Sequence, residues 1–105
     1  MSRIEKLLEF LEATPADSFL QHALALEYIK EGNDTQAREL FETILEREPG
    51  YIGSYYHLGK LLERQDEPDQ AILIYEQGME QAAAKKDNHS YNELQGALED
   101  LEDQQ

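Results

Sequence analysis

The residues that could carry acid–base, nucleophilic or metal chemistry in this 105-residue chain are few and scattered. Nucleophilic catalysis needs a Ser or Cys held beside a base and an oxyanion site. Ser2, Ser18, Ser54 and Ser90 all fall at or near expected helix starts, where capping is their ordinary role, and there is no cysteine. No G-x-S-x-G elbow, Walker loop, G-x-G-x-x-G or H-E-x-x-H is present. His22 and His57, with Glu27 nearby, are the one set able to approach a divalent ion. His89 stands apart, and dispersed imidazoles are most often ordinary, partly exposed side chains. Asp and Glu are so abundant that no pair of them stands out as an acid–base couple. The chain is therefore expected to be no enzyme, with no cofactor and no metal site.

The elements that position these residues follow from a period of 34. Shifted by that amount, Leu24 falls on Leu58, Ala25 on Gly59, Tyr28 on Leu62, Ala37 on Ala71 and Phe41 on Tyr75. The small members let two helix backbones approach, and the large ones fill the seam. Leu20, Leu24 and Tyr28 share a face at helical spacing, as do Tyr55, Leu58 and Leu62. Gly32 can end one helix in positive φ, Asn33 or Asp34 can cap the next, Pro49-Gly50 stops a helix, and Pro68 suits a first turn. Helices are predicted over 18–31, 34–47, 51–65 and 68–85.

Partial repeats flank these. Subtracting 34 again brings Phe41 onto Leu7, Ile44 onto Phe10, Leu45 onto Leu11 and Pro49 onto Pro15, so a helix over 2–14 reads as a second half-repeat, started by a Ser2-x-x-Glu5 capping box. Tyr91, Leu94 and Leu98 match Tyr55, Leu58 and Leu62 at an offset of 36. A last helix over 88–104 then begins a third repeat, with Ser90-x-x-Glu93 as its expected capping box and a polar outer face of Asn92, Gln95, Glu99 and Glu102. Two whole repeats (18–51 and 52–85) and two halves make about three, the practical minimum for such a stack. The expectation is one all-α domain over 1–105, read as complete.

Composition narrows the function. Asp and Glu number 23 against 9 Lys and Arg, a formal charge of −14. Phosphate backbones and anionic membranes both repel such a surface, so neither nucleic acid nor membrane is an expected partner. The acidity is consistent with solubility, with adaptation to high salt, or with a basic partner. There is no signal-peptide-like start and no apolar run of membrane-spanning length. The default address is cytoplasmic.

The chain resembles tetratricopeptide repeat proteins, whose signature is a 34-residue helix–turn–helix. The pattern W-x2-L-G-x2-Y…A-x3-F…P appears as Leu24-Ala25, Tyr28, Ala37, Phe41 and Pro49, then as Tyr55, Leu58-Gly59, Leu62, Ala71 and Tyr75. Gln21 stands where the large aromatic belongs, Asp66 replaces the turn glycine, and Ala83 replaces the closing proline. The resemblance implies antiparallel helix–turn–helix repeats in a right-handed superhelix. It also implies a concave groove, lined by the first helix of each repeat, that binds a protein or peptide. Here that face holds Phe19, His22, Leu26, Ile29 and Lys30, then Gly53, Tyr56, Lys60, Glu63 and Arg64. The first set is apolar although it lies off the core stripe, and a helix apolar nearly all round should be covered by something. The expected contact residues are Phe19, His22, Leu26, Ile29, Lys30, Tyr56, Lys60 and Arg64. The alternative is a homodimer that buries the Phe19–Ile29 face. The family's clamp for acidic chaperone tails, built from Lys, Asn and Arg, maps onto His22, Leu26, His57, His89 and Glu93, none of which matches, so that ligand is not implied.

Overall fold

The computed structural model describes residues 1–105. They form six α-helices and no strand: α1 (Arg3–Ala13), α2 (Ser18–Lys30), α3 (Asp34–Arg47), α4 (Gly53–Arg64), α5 (Pro68–Ala84) and α6 (Asn88–Asp103). No helix is long and apolar enough to cross a membrane. The chain divides into two compact units, Met1–Glu48 and Pro49–Gln105.

Three turns share one hydrogen-bond pattern. Asn33 N–H donates to Tyr28 O and Gly32 N–H to Ile29 O; Glu67 donates to Leu62 and Asp66 to Glu63; Asp87 donates to Ala82 and Lys86 to Ala83. This pair of bonds satisfies the last carbonyls of a helix and needs a left-handed residue just past its end. Gly32 takes it at φ 77°, but Asp66 (φ 60°) and Lys86 (φ 56°) carry side chains there. The residue after each left-handed one is the N-cap of the next helix: Asn33, Glu67 and Asp87. The other two connections between helices also repeat each other. Thr14 and Glu48, each before a proline, adopt φ −134°, ψ 72° and φ −133°, ψ 76°. Proline disfavours helical geometry in the residue before it, which stops α1 and α3 alike.

In the first unit α2 packs against both α1 and α3. Leu7, Leu24, Ala25, Ala37, Phe41 and Ile44 are buried. Gln21, in the place of the family aromatic, is also buried and is hydrogen-bonded at both ends of its amide: its Nε2 donates to Pro15 O (3.0 Å), and its Oε1 accepts from Arg47 Nη2 (2.8 Å). Arg47 also donates to Ser18 Oγ, which donates to Glu48 Oε1.

In the second unit α5 lies between α4 and α6. Tyr55, the repeat equivalent of Gln21, donates its hydroxyl to Pro49 O (2.5 Å), the same bond one period on. Gly78 of α5 sits where an added Cβ would lie 2.7 Å from Tyr55 Cβ and 2.9 Å from Leu94 Cδ1, so one glycine admits both neighbouring helices. Gly59 is tighter still: its Cβ would fall 2.1 Å from Tyr75 Cε1.

The structure corrects some sequence readings. Ser2 caps α1 in the expected box, but Ser90 does not cap α6; Asp87 does, accepting from Ser90 N–H and Oγ–H, so no Ser90–Glu93 box forms. Those bonds hold the Asp87 carboxyl below its usual range. Ser18 and Ser54 are buried side chains inside their helices rather than caps. The helix expected from residue 51 starts at Gly53, with no side-chain cap. Tyr91 and Leu98, the counterparts of the buried Tyr55 and Leu62, are only half-buried, and Leu94, Ala97 and Leu101 are the buried face of α6.

Candidate partner-binding surface

α2 is the most apolar helix of its unit, and α1 and α3 cover only part of it. Leu24 and Ala25 are buried, but Phe19 is 71% exposed and Leu26 and Ile29 are half-buried. Phe19, Ala23 and Leu26 supply the apolar wall of a hollow of about 410 Å³, which His22, Glu27, Lys30 and Arg3 complete. Ile29 does not line it. His22 is held by an edge-on contact with the Phe41 ring (5.5 Å, 65°) and so belongs partly to the core.

Two of the lining residues were not anticipated. Glu27, only 15% exposed at its side chain, binds Lys30 Nζ at 3.1 Å and Arg3 Nε at 3.7 Å. It occupies the repeat position of Leu61, which is fully buried in the second unit. The i,i+3 spacing of Glu27 and Lys30 could have shown their pairing, but Arg3 reaches the hollow from α1, and no local pattern signals that. The rim thus carries two cations around one carboxylate, in a chain of net charge −14.

On α4, Tyr56, Lys60 and Arg64 follow one another at one-turn spacing. Lys60 Nζ lies 5.9 Å from the Tyr56 ring centroid and 3.8 Å from Glu63 Oε2. Glu63 is committed elsewhere as well, since it accepts the Tyr75 hydroxyl. Burial first, and then this bond, push the Tyr75 pKa up. His57 sits edge-on to Tyr56 (5.6 Å, 88°). Desolvation lowers its pKa, with Glu93 opposing and Arg64 assisting. Gly53 is exposed at the start of the helix. The two histidines that might have shared a metal therefore each have an aromatic partner within their own unit.

The α2 hollow suits an apolar side chain, and the α4 row offers cations one turn apart that can hold a carboxylate.

Residues 28–101 match the sequence profile of the tetratricopeptide repeat family. Among curated proteins none matches. A crystal structure of a tetratricopeptide repeat domain protein from Salinibacter ruber is 44% identical, with a TM-score of 0.82 over 85% of this chain and 99% of that one. A Bordetella parapertussis protein, 24% identical, superposes with a TM-score of 0.86 over 99% of this chain and 90% of that one. The TPR2B domain of yeast Sti1, in complex with pHsp70, is 15% identical, with a TM-score of 0.89 over 97% of this chain and 82% of that one. At such identities the last two speak to the fold alone. The profile match, the Salinibacter likeness and the repeated turns and helix pairs agree, and the chain belongs to the tetratricopeptide repeat family.

Proposed function

We propose that the chain binds a partner protein or peptide through the first helix of each repeat, using Phe19, His22, Leu26, Ile29 and Lys30 on α2 and Tyr56, Lys60 and Arg64 on α4. The observation that carries this reading is Phe19. A phenylalanine 71% exposed beside a concave, largely apolar hollow is what a contact residue looks like before its partner arrives. Family membership supports an interaction module, and the Sti1 domain of the same fold is itself in complex with pHsp70. The Lys/Asn/Arg clamp for acidic chaperone tails is not matched here, so the partner is not inferred from that example. Apolar anchors supply most of the affinity. Lys60 and Arg64 orient a carboxylate, which the rest of so acidic a surface repels.

The test is affinity capture from the native cell with wild-type and variant chains, followed by affinity measurement on the partner. Phe19→Asp and Tyr56→Ala should each weaken binding by about tenfold or more, the cost of losing an aromatic anchor. Lys60→Glu with Arg64→Glu should abolish it at low salt. If all three bind like wild type while Phe19→Asp converts a dimer to monomer in sizing chromatography, the face is a homodimer interface and partner binding through it is wrong.

A further inference from the structure

A second surface, separate from the α2 and α4 faces, lies on the second unit. Gly59 marks the side of α4 that α5 covers, because its missing Cβ admits the Tyr75 ring. Tyr55 and Leu62 are buried on that helix. At an offset of 36, Tyr91, Gln95 and Leu98 are the corresponding row on α6. There Gln95 is exposed and Tyr91 and Leu98 are half-buried. These two, with Met79 and Ala83 of α5, form an apolar hollow of about 330 Å³, edged by Glu76 and Glu80.

We propose that this α5–α6 face receives an amphipathic helix bearing Lys and Arg, contributed by a partner protein. Three observations select that occupant. The row on α6 repeats the row on α4 that a helix covers. The hollow is walled by two helices whose backbone groups are already paired, so it offers apolar contact and no ladder for a strand. Finally, its only charged members are the carboxylates of Glu76 and Glu80, and neither α5 nor α6 contains a Lys or Arg. Basic residues flanking an apolar stripe complement that rim. Gln95 in the place of Gly59 keeps the incoming helix farther out than α5 sits on α4, which suits a separable partner. Met79 adapts to differing apolar side chains. A second copy of the chain fits less well: α1 carries Arg3 and Lys6 but also Glu5, Glu9 and Glu12, and each copy has a net charge of −14.

Fluorescence anisotropy with a labelled Leu/Lys amphipathic helix tests this, using as control a peptide of the same composition scrambled to destroy the apolar stripe. At physiological salt the amphipathic probe should bind at least about tenfold more tightly than the scrambled one, an effect of the size expected from apolar anchoring. Leu98→Glu should weaken it about tenfold although the substitution adds negative charge. Glu76→Gln with Glu80→Gln should weaken it by a smaller factor, and Phe19→Asp on α2 should leave it unchanged. Circular dichroism verifies each variant's fold, and Met79→Glu replaces Leu98→Glu if that chain does not fold. Equal binding of both peptides, tighter binding by Leu98→Glu, or loss of binding in Phe19→Asp would overturn the proposal. So would wild-type self-association that Leu98→Glu abolishes, because the occupant would then be a second copy.

Discussion

Gly59 and Gly96 both lie inside helices, and the same substitution should act on them with opposite sign. An added methyl at Gly59 would fall 2.1 Å from one Tyr75 ring atom and 2.6 Å from another, deep in the α4–α5 seam. At Gly96 it would meet nothing within 4 Å. Alanine gains roughly 1 kcal/mol of helix propensity over glycine, while overpacking a close seam costs about 1–3 kcal/mol. Gly96→Ala should therefore raise stability by up to about 1 kcal/mol, and Gly59→Ala should lower it by about 1 kcal/mol or more, both read from urea unfolding midpoints. A neutral Gly59→Ala would mean that α4 and α5 slide apart easily. The first unit solves the same seam with different residues. It has Phe41, Ala25 and Ile29 where the second has Tyr75, Gly59 and Glu63. A phenylalanine needs no hydrogen-bond acceptor, so an apolar residue can stand at position 29; the Tyr75 hydroxyl takes one from Glu63. That makes Glu63 a packing residue as well as a member of the α4 face, and it ties the neighbourhood of Lys60 to the core.

The turns set the element scale. Gly32, Asp66 and Lys86 do the same left-handed job, but only the first is a glycine. A side chain in this region costs about 1–2 kcal/mol, and Asp tolerates it better than Lys. Lys86→Gly should thus stabilise the chain by about 1 kcal/mol after the extra freedom of the unfolded glycine is counted, and Asp66→Gly by less. The melting temperature of Lys86→Gly should rise by several degrees, at about 4–8 °C per kcal/mol for a domain of this size; no rise would mean that the Lys86 turn relaxes at little cost. These turns also show what the sequence could and could not reveal. Gly32, Asn33 and Pro68 announce their turns by type, and the 34-residue period placed all four central helices. Lys86 announces nothing, and by type Asp87 and Ser90 both qualify as the cap of α6, so only geometry chooses Asp87. On the binding side, the apolar excess of α2 was visible as surplus hydrophobic residues off the core stripe. The part that Arg3 and Glu27 play in the hollow was not, since it depends on how α1 lies against α2. The half-exposed state of Tyr91 and Leu98 was hidden for a related reason: repeat register says what a residue can pack against, not whether a helix is there to pack.

For the whole molecule, charge is the dominant long-range term. With 23 acidic against 9 basic side chains, the native state confines like charges that the unfolded chain can separate. Screening relieves that repulsion, and the screening length falls from about 30 Å at 0.01 M salt to about 8 Å at 0.15 M. Salt also weakens the attractive pairs, which oppose the effect. Four of the pairs, Arg3–Glu27, Lys30–Glu27, Arg38–Glu42 and Lys60–Glu63, each have at least one member more than a third exposed. Such pairs are individually worth only about 0–1 kcal/mol. Repulsion among 14 excess negative charges should outweigh them, so the melting temperature should rise between low and physiological salt. Simple screening then predicts a plateau, because a Debye length shorter than the spacing between surface carboxylates leaves little repulsion to remove. Continued large gains into molar salt would instead favour a surface adapted to high salt, on which ions and their hydration become part of the folded state. A melting temperature that stays flat or falls across the first interval would show that the carboxylates are spaced widely enough not to interact, and the acidity would then have to be explained by what it attracts.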